Sequence, residues 1–545
     1  MGLDRRAFLK GAAISGAATA VVSLSACSPA EPKDETESAA AGGAKDYKAK
    51  PDPIPDDQIA ETLEADVVVV GAGTSGTLAA VMATESGAKV IVLQKEDAPI
   101  TNGMGFGAYD PDIEHPYDVQ DAITRWMRES EGRSDRRLIR RWIQYSGAAC
   151  KKIYELCKDS DEIIVGLTTE PEAAVYPDEW NFAYSFGGVF IAGKEVVDGG
   201  TRIACKIMLD KAESDGAEVL YSTPAKQLVQ DASGRVTGVI AQREDDTYIK
   251  VNAKNGVILA AGDYGNNADF RREYMPHIEG LASAYIVQSN VGDGHLMGLW
   301  AGAKMQLGPH AGNIHYDPVA PPAPNVGGSG CPWLWVNLKG ERFCNEDISY
   351  GQIYAQAMNQ PEFIHFQVFD DDYLDQVYAG RMGEGNQKTG LGGGFAGYGM
   401  AFIQDAIDSG EIPSADTIEE LAAKIEVPPE TLAATVARYN EIFDLGVDED
   451  FGKQAARITA IRKPPYYAIM RKPRLLCSLG GLVINDNMEV LDEAGEVIPG
   501  LWASGNNSGN WFGGLEHPMV MPGMSLARAA VTGYLAGLSA AGKTY

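Results

Sequence analysis

Cysteine, positive charge and long apolar runs are all scarce in this chain of 545 residues, and each scarcity removes a class of function. There are seven cysteines, Cys27, Cys150, Cys157, Cys205, Cys331, Cys344 and Cys477. None is spaced as CxxC or CxxCH, so neither an attached c-type haem nor an iron–sulfur run is written here. Lys plus Arg number 46 against 75 Asp plus Glu, a net charge of -29. That excess of negative charge repels phosphate backbones and anionic lipid, which argues against nucleic acid as a partner. The longest apolar stretch, Gly11 to Ala26, is rich in Ala and Gly and shorter than the roughly 20 residues a spanning helix needs. No Ser/His/Asp constellation with supporting context and no cluster of metal-ligand spacing is present.

What precedes and follows that stretch reads as an export signal. Arg5-Arg6 with Phe8, Leu9 and Lys10 resembles the twin-arginine signal, which carries proteins already folded, and Leu24-Ser25-Ala26-Cys27 resembles a lipobox whose cysteine becomes a lipidated N-terminus. Residues 1–27 are therefore expected to be a signal. Residues 28–59, rich in Ala, Pro, Lys, Asp and Glu without hydrophobic periodicity, are expected to be a flexible linker. The remainder is long enough for two or three domains and a large core.

Ala65 to Gly76 reads ADVVVVGAGTSG. The β-branched run Val67 to Val70 predicts a buried parallel strand, the glycines a turn, and Thr77 to Ser86 a helix. In that order GxGxxG is evidence for a dinucleotide. Gly71 allows the turn, Gly73 lets backbone approach a pyrophosphate, and Gly76 lets helix and strand pack; Ala72, Thr74 and Ser75 complete the turn. Anionic phosphates would meet free amides at the helix start. A second strand, Lys89 to Leu93, ends at Gln94, where an acid normally holds the ribose; glutamine offers one carbonyl acceptor and no charge.

Two further stretches select the dinucleotide. Val251 to Asn267, VNAKNGVILAAGDYGNN, resembles the second nucleotide-contacting strand of flavoproteins, and Pro499 to Gly509, PGLWASGNNSG, resembles their last strand and glycine turn. NAD enzymes need neither, so the expected cofactor is noncovalent FAD.

Together with Asn102-Gly103, Gly107-Ala108, Gly200 to Leu209, Val291 to Gly294, Val336 to Phe343, Thr435 to Asn440 and Gly480-Gly481, these segments make the chain resemble the FAD-dependent fumarate reductase and 3-ketosteroid dehydrogenase superfamily. The resemblance implies an α/β fold: a Rossmann-like FAD-binding domain from residues 60–307 and 475–545, with an inserted α+β capping domain, residues 308–474, that meets the substrate. It adds Ala225, Asp293, Asn506, Ser525 and Leu526 to the cofactor-binding residues. The reaction it implies is hydride transfer between flavin N5 and an activated carbon–carbon bond.

Departures from the family narrow the substrate. Where fumarate reductases carry a proton-donating arginine, this sequence has Tyr350. Their carboxylate-gripping arginines and histidine fall at Ser329, Leu476-Cys477-Ser478 and Val520. Two carboxylates buried there without cations would cost several kcal/mol per ion. Trp333, Trp335, Tyr350, Tyr354, Trp511, Phe512 and Met519 to Met521 instead suit a neutral or hydrophobic compound, although each ring could equally be core. Tyr350 is the candidate proton donor and His315 the second. The chain is thus expected to be an exported, lipid-anchored reductase of an unsaturated small molecule on the outer face of the cytoplasmic membrane. Its electrons would come from a membrane-associated donor such as a cytochrome. A ketosteroid-type dehydrogenase passing electrons to a quinone, and a redox-inactive ligand-binding lipoprotein, are the alternatives.

Overall fold

A computed structural model describes residues 46–112, 118–167, 188–194, 199–282, 287–315, 331, 333–346, 355–376, 403–514, 517 and 523–545. The chain divides after Pro51, and everything below concerns the unit Asp52–Tyr545.

The valine run behaves as its composition dictates. Strand β1 (Ile59–Val70) ends in four valines that are 0–4% exposed, covered on both faces. A strand buried that way sits in the middle of a parallel sheet, and β1 has β2 (Val90–Leu93) on one side and β6 (Tyr248–Leu259) on the other, both parallel to it. The polar half of β1 extends past the core, which is why its early residues are exposed or only half-buried. Helix α1 (Thr74–Glu85) makes the crossover from β1 to β2 and is buried from Thr74 to Thr84. Strand β3 (Glu218–Leu220) adds to the β2 edge. Strands β4 (Ala225–Gln230) and β5 (Val236–Gln242) form a hairpin whose second strand pairs with the first half of β6. On the far side, β6 pairs in parallel with β13 (Val497–Ala503), which pairs antiparallel with β12 (Glu489–Leu491). The eight-stranded sheet is thus built from both ends of the chain.

Helices close this sheet. The C-terminal helix α6 (Met524–Ala540) lies along α1, and the contact is close because two of its residues are glycine: a Cβ on Gly533 or Gly537 would strike the backbone oxygen of Ser75 or Ala79. Helices α2 (Arg136–Cys157) and α3 (Gly200–Ser214) contribute Leu138, Ile139, Ile153, Met208 and Leu209 to the same core.

A second sheet has its own core. Strands β8 (Leu334–Asn337), β9 (His365–Asp370) and β10 (Tyr466–Arg471) pair antiparallel, with Ser414–Ala415 at the edge. One face carries Leu334, Val336, Phe366 and Val368 against Leu432, Val436 and Ile442 of α5 (Pro429–Leu445). The other carries Trp333, Phe369, Tyr467 and Ile469. Separate from both sheets, β7 (Gly312–His315) pairs antiparallel with β11 (Arg474–Ser478). The expected α/β class with an α+β insertion is the fold observed. The six cysteines Cys150, Cys157, Cys205, Cys331, Cys344 and Cys477 are free and buried. Among the described residues no helix is long and apolar enough to cross a membrane.

Candidate functional site

The glycine turn forms where β1 leaves the sheet. Gly71 has φ +104°, a value that strains any residue with a side chain, and a Cβ there would run into the Ala260 carbonyl at the end of β6. A Cβ on Gly76 would fall against the Gly71 carbonyl oxygen. At Gly73 the nearest atom to such a Cβ is the Ile100 carbonyl oxygen, 3.3 Å away. The turn therefore folds tightly on its inner side and leaves its outer side open at Gly73. Helix α1 begins immediately after it, with Gly73 as N-cap and no side-chain cap, so the leading amides of Thr74, Ser75 and Gly76 have no intrahelical acceptor. That is a cradle for an anion.

Gln94 is buried at the end of β2, and its carboxamide faces the turn. Its Oε1 accepts from Ala72 N at 3.0 Å and its Nε2 donates to the Ala98 carbonyl at 2.8 Å. It fixes the turn to the second strand, and one lone pair of Oε1 and one N–H of Nε2 remain for a ribose. Asp293 is the first residue of α4 (Asp293–Trp300), and its carboxylate meets Lys95 Nζ, next to Gln94 in the chain, at 2.9 Å. Ala225 opens β4, half-buried. Thr74 Oγ1 meets Thr101 Oγ1 at 2.9 Å, which ties the turn to the segment that runs from Thr101 to Ala108.

That segment is the second wall. Gly103 accepts from Thr201 Oγ1 at 2.5 Å. A Cβ on Gly103 would sit 3.1 Å from Leu526, and one on Gly523 would sit 2.5 Å from Gly105 O and Gly107 N. The start of α6, Met524-Ser525-Leu526, thus meets Gly103 to Gly107, with Ala108 buried behind them. Asn102 Oδ1 is buried here without a hydrogen-bond partner among the described residues. A buried, unpaired carboxamide oxygen beside an uncapped helix start is what a polar cofactor edge would satisfy.

Behind the two walls lies a network that the sequence reading missed. Asn507 Oδ1 accepts from Ala261 N at 2.6 Å, its Nδ2 donates to His295 Nδ1 at 3.1 Å, and His295 Nε2 donates to the carbonyls of Gly480 and Asn506 at 3.2 and 3.0 Å. The strands β6, β11 and β13 and helix α4 are thereby pinned together where their ends converge. Asp263, fully buried, accepts from Gly265 N, Ser478 N and Asn290 Nδ2 at 2.6, 3.2 and 2.6 Å; burial outweighs these bonds and pushes its carboxyl up. Tyr264 Oη donates to His310 Nδ1 at 2.6 Å, and His310 Nε2 donates to the Gln306 carbonyl at 2.8 Å. Gly480 is obligatory beside it, since a Cβ there would enter the His310 ring. The glycine pair and a histidine are visible in the sequence; that they meet across so long a stretch of chain is not.

Arg528, in the second turn of α6, reaches the same region. Its Nη2 donates to Asn506 Oδ1 at 2.6 Å and its Nη1 to the Gly505 carbonyl, with the guanidinium 5.5 Å from the Phe512 ring centroid. Phe512 in turn stacks on Trp126 at 5.6 Å, and the Trp511 carbonyl accepts from Trp126 Nε1 and Ser134 Oγ at 2.9 and 2.7 Å.

The expected substrate residues divide. Trp333 and Trp335 are each 1% exposed, the first stacked on Phe369 at 4.1 Å and the second on His365 at 4.2 Å, inside the second sheet's packing. His315 ends β7. Its side chain, with Tyr350, Tyr354, Ser329 and Met519 to Met521, lies outside the described residues. The GERFCNED segment folds around a buried ion cluster: Arg342 bonds Glu346 and Asp448 at 2.9 and 2.8 Å, and Lys453 Nζ meets Glu346 at 3.2 Å and Tyr439 Oη at 2.7 Å.

Residues 66–517 match the FAD binding domain family. Among characterised proteins the chain is similar to a vinyl phenol reductase of Lactiplantibacillus plantarum, 29% identical over 88% of this chain and 97% of the relative. Among solved structures it is similar to the open conformation of a flavocytochrome c3 fumarate reductase, with 22% identity, TM-score 0.65, and 89% and 79% of the two chains covered. It is likewise similar to a 3-ketosteroid delta1-dehydrogenase from Sterolibacterium denitrificans, with 19% identity, TM-score 0.66, and 88% and 99% covered. These two likenesses are of fold.

Proposed function

Because the chain belongs to the FAD binding domain family, whose match takes in both walls of the cradle, we propose that this FAD-dependent oxidoreductase reduces an activated carbon–carbon double bond in a neutral or hydrophobic molecule. The observation that carries the reading is the near full-length likeness to a vinyl phenol reductase, a relative named for an uncharged alkene. The residues at the family's carboxylate-gripping positions point the same way. Ser329, Leu476, Cys477, Ser478 and Val520 include no cation, and Leu476 and Cys477 are 6% and 7% exposed.

FAD, when bound, supplies the hydride chemistry. The amides of Thr74 to Gly76 would hold its phosphates, the unpaired Asn102 Oδ1 and the start of α6 would meet a polar edge of it, and the network of Asn507 and His295 keeps the supporting strand ends in register. Tyr350 is the proton donor to the carbon alpha to the activating group, a phenol being protonated at neutral pH. The residues 308–474 form the substrate cap, for which the separate core of the second sheet is the support. The Arg5-Arg6 and Cys27 motifs support a location outside the cell on a lipid anchor, with FAD loaded before export. There a membrane-associated donor such as a cytochrome reduces it, since the sequence carries no haem motif of its own.

The test is a reoxidation screen. Holoprotein bleached with reduced viologen is mixed with enones, acrylates and vinyl arenes, and return of the oxidised flavin spectrum is followed. Recovery with an uncharged alkene, faster than with fumarate, is expected. If none of these compounds restores the spectrum, the reductase reading is abandoned.

A further inference from the structure

Arg528 is a buried cation whose hydrogen bonds, among the described residues, all go to neutral groups. It is 1% exposed, its acceptors are the Gly505 carbonyl and the Asn506 carboxamide oxygen, and its Nε is buried without an acceptor among those residues. The carboxylate that acts on it electrostatically, Asp263, is engaged by Gly265, Ser478 and Asn290. The imidazole beside it, His517, is held neutral by burial and by Arg528 itself. Keeping a guanidinium dehydrated in such company is expensive unless an anion joins it.

Its position says which anion. Gly505 packs on Ser75 of the phosphate turn so closely that a Cβ would strike Ser75 Oγ, so Arg528 stands beside the cofactor cradle. It is one turn inside α6, whose start meets Gly103 to Gly107 at the second wall. The amides of Thr74 to Gly76 at the start of α1 would already serve the phosphates. Arg528 instead has an aromatic ring, Phe512, against its face, and the positive end of α6 points toward the same wall.

We propose that Arg528 is the charge that compensates the flavin ring when it becomes anionic, at its N1–C2=O edge. Two-electron reduction with uptake of one proton at N5 leaves one negative charge on that edge, and a fixed cation there stabilises the reduced form over the oxidised one. The electrons come from the external donor, for which reduced viologen substitutes in vitro. This rests on FAD binding alone and stands whichever alkene is the substrate.

Sulfite tests it without substrate. The sulfur lone pair forms a bond to flavin N5, the ring takes the pair onto N1–C2=O, and the bleached adduct is read by absorbance. In holoprotein carrying R528Q the dissociation constant of the adduct is expected to rise at least tenfold. The two-electron potential should fall by the matching amount, about 30 mV for a factor of ten. R528K, which retains the charge, should stay within threefold of the parent, and it serves alone if R528Q does not retain FAD; a tenfold loss in R528K overturns the proposal. So does an R528Q protein in which affinity for FAD drops while sulfite binding and potential do not move, which would assign the charge to the pyrophosphate. An R528Q effect confined to KM for carboxylate-bearing alkenes would assign it to substrate, and also overturns the proposal.

Discussion

Asn507 Nδ2 donates to His295 Nδ1 at 3.1 Å, and this bond exists only while His295 is neutral with its proton on Nε2. A protonated imidazole would turn an acceptor into a donor facing a donor, at the point where four elements of the cofactor domain meet.

Burial enforces that neutrality, and it predicts acid lability. Burial pulls His295, His310 and His517 down to about 4, against about 6.5 in an unfolded chain. The folded values lie below the unfolded one, so the stability they hold is complete above about pH 6.5 and is lost as pH falls through about 4. Near pH 5 these three rings alone bind close to three more protons in the unfolded chain than in the native one, a contribution of about 4 kcal/mol per pH unit, and His365, which burial also holds well below its ordinary value, adds to it. Urea unfolding between pH 7 and 4.5 should show it, and H310N should remove about one proton from the slope. A slope of one proton or less in the parent would mean these rings are charged in the folded protein.

The phosphate turn yields a sharper contrast between two glycines. In G76A the new methyl meets the Gly71 carbonyl oxygen, a backbone atom with no room to move, so the protein should be recovered without flavin. Gly87 also has a left-handed φ, +92°, but a Cβ there has nothing within 4 Å, and G87A should cost about 1–2 kcal/mol while the protein stays yellow. Flavin absorbance per mole of purified protein checks both. A yellow G76A protein would show that the turn is not the cofactor cradle.

Most of that turn was legible in the sequence, because a strand, three glycines and a helix are local and each glycine answers one steric demand. The strands β6 and β13 were also legible, through the Ala-x-Gly stretch and the last glycine turn; that β6 lies beside β1 and β13 beside β6 comes from the structure. What could not be read were the contacts made across the chain. His295, His310 and Asp263 are single polar residues in apolar stretches, and nothing nearby distinguishes a buried partner from a surface one. Arg528 is hidden for the same reason: on α6 it looks like a solvated charge between alanines, and only the packing of α6 against α1 and Gly505 buries it. Trp333 and Trp335 show the converse. Their aromatic character suggested a ligand surface, whereas period-two burial in a two-faced sheet is enough to account for rings packed on Phe369 and His365.

The second sheet can be loosened without the first. Arg342 is the cation between Glu346 and Asp448, whose side chains are fully buried. Burial alone would raise Asp448, but the hydrogen bonds from Arg342 and from Lys453 N hold it at about 2. R342M strands a buried carboxylate, at about 3–5 kcal/mol. Since this cluster belongs to the separate core around α5, the loss should fall there. With rising urea, tryptophan fluorescence should report an early transition, from Trp333 and Trp335, while flavin remains bound. Simultaneous loss of both signals would argue that the second sheet is no separate cap.

Tyr350, the proposed proton donor, sets the last expectation. If its phenol delivers the proton to the carbon alpha to the activating group, Y350F removes a general acid and leaves hydride donation intact. Reduction of the bound flavin by viologen should then proceed at the parent rate, while reoxidation by an alkene slows by about 10²–10⁴-fold. The two half-reactions separate a proton donor from a packing residue: a tyrosine that only lines the pocket would change KM and leave the saturated reoxidation rate within a few fold. The solvent deuterium isotope effect on reoxidation gives a second reading, because a rate-limiting proton transfer from Tyr350 makes it large in the parent and alters it in Y350F. Unchanged saturated reoxidation in Y350F would move the search for the acid to His315, the other candidate at the end of β7.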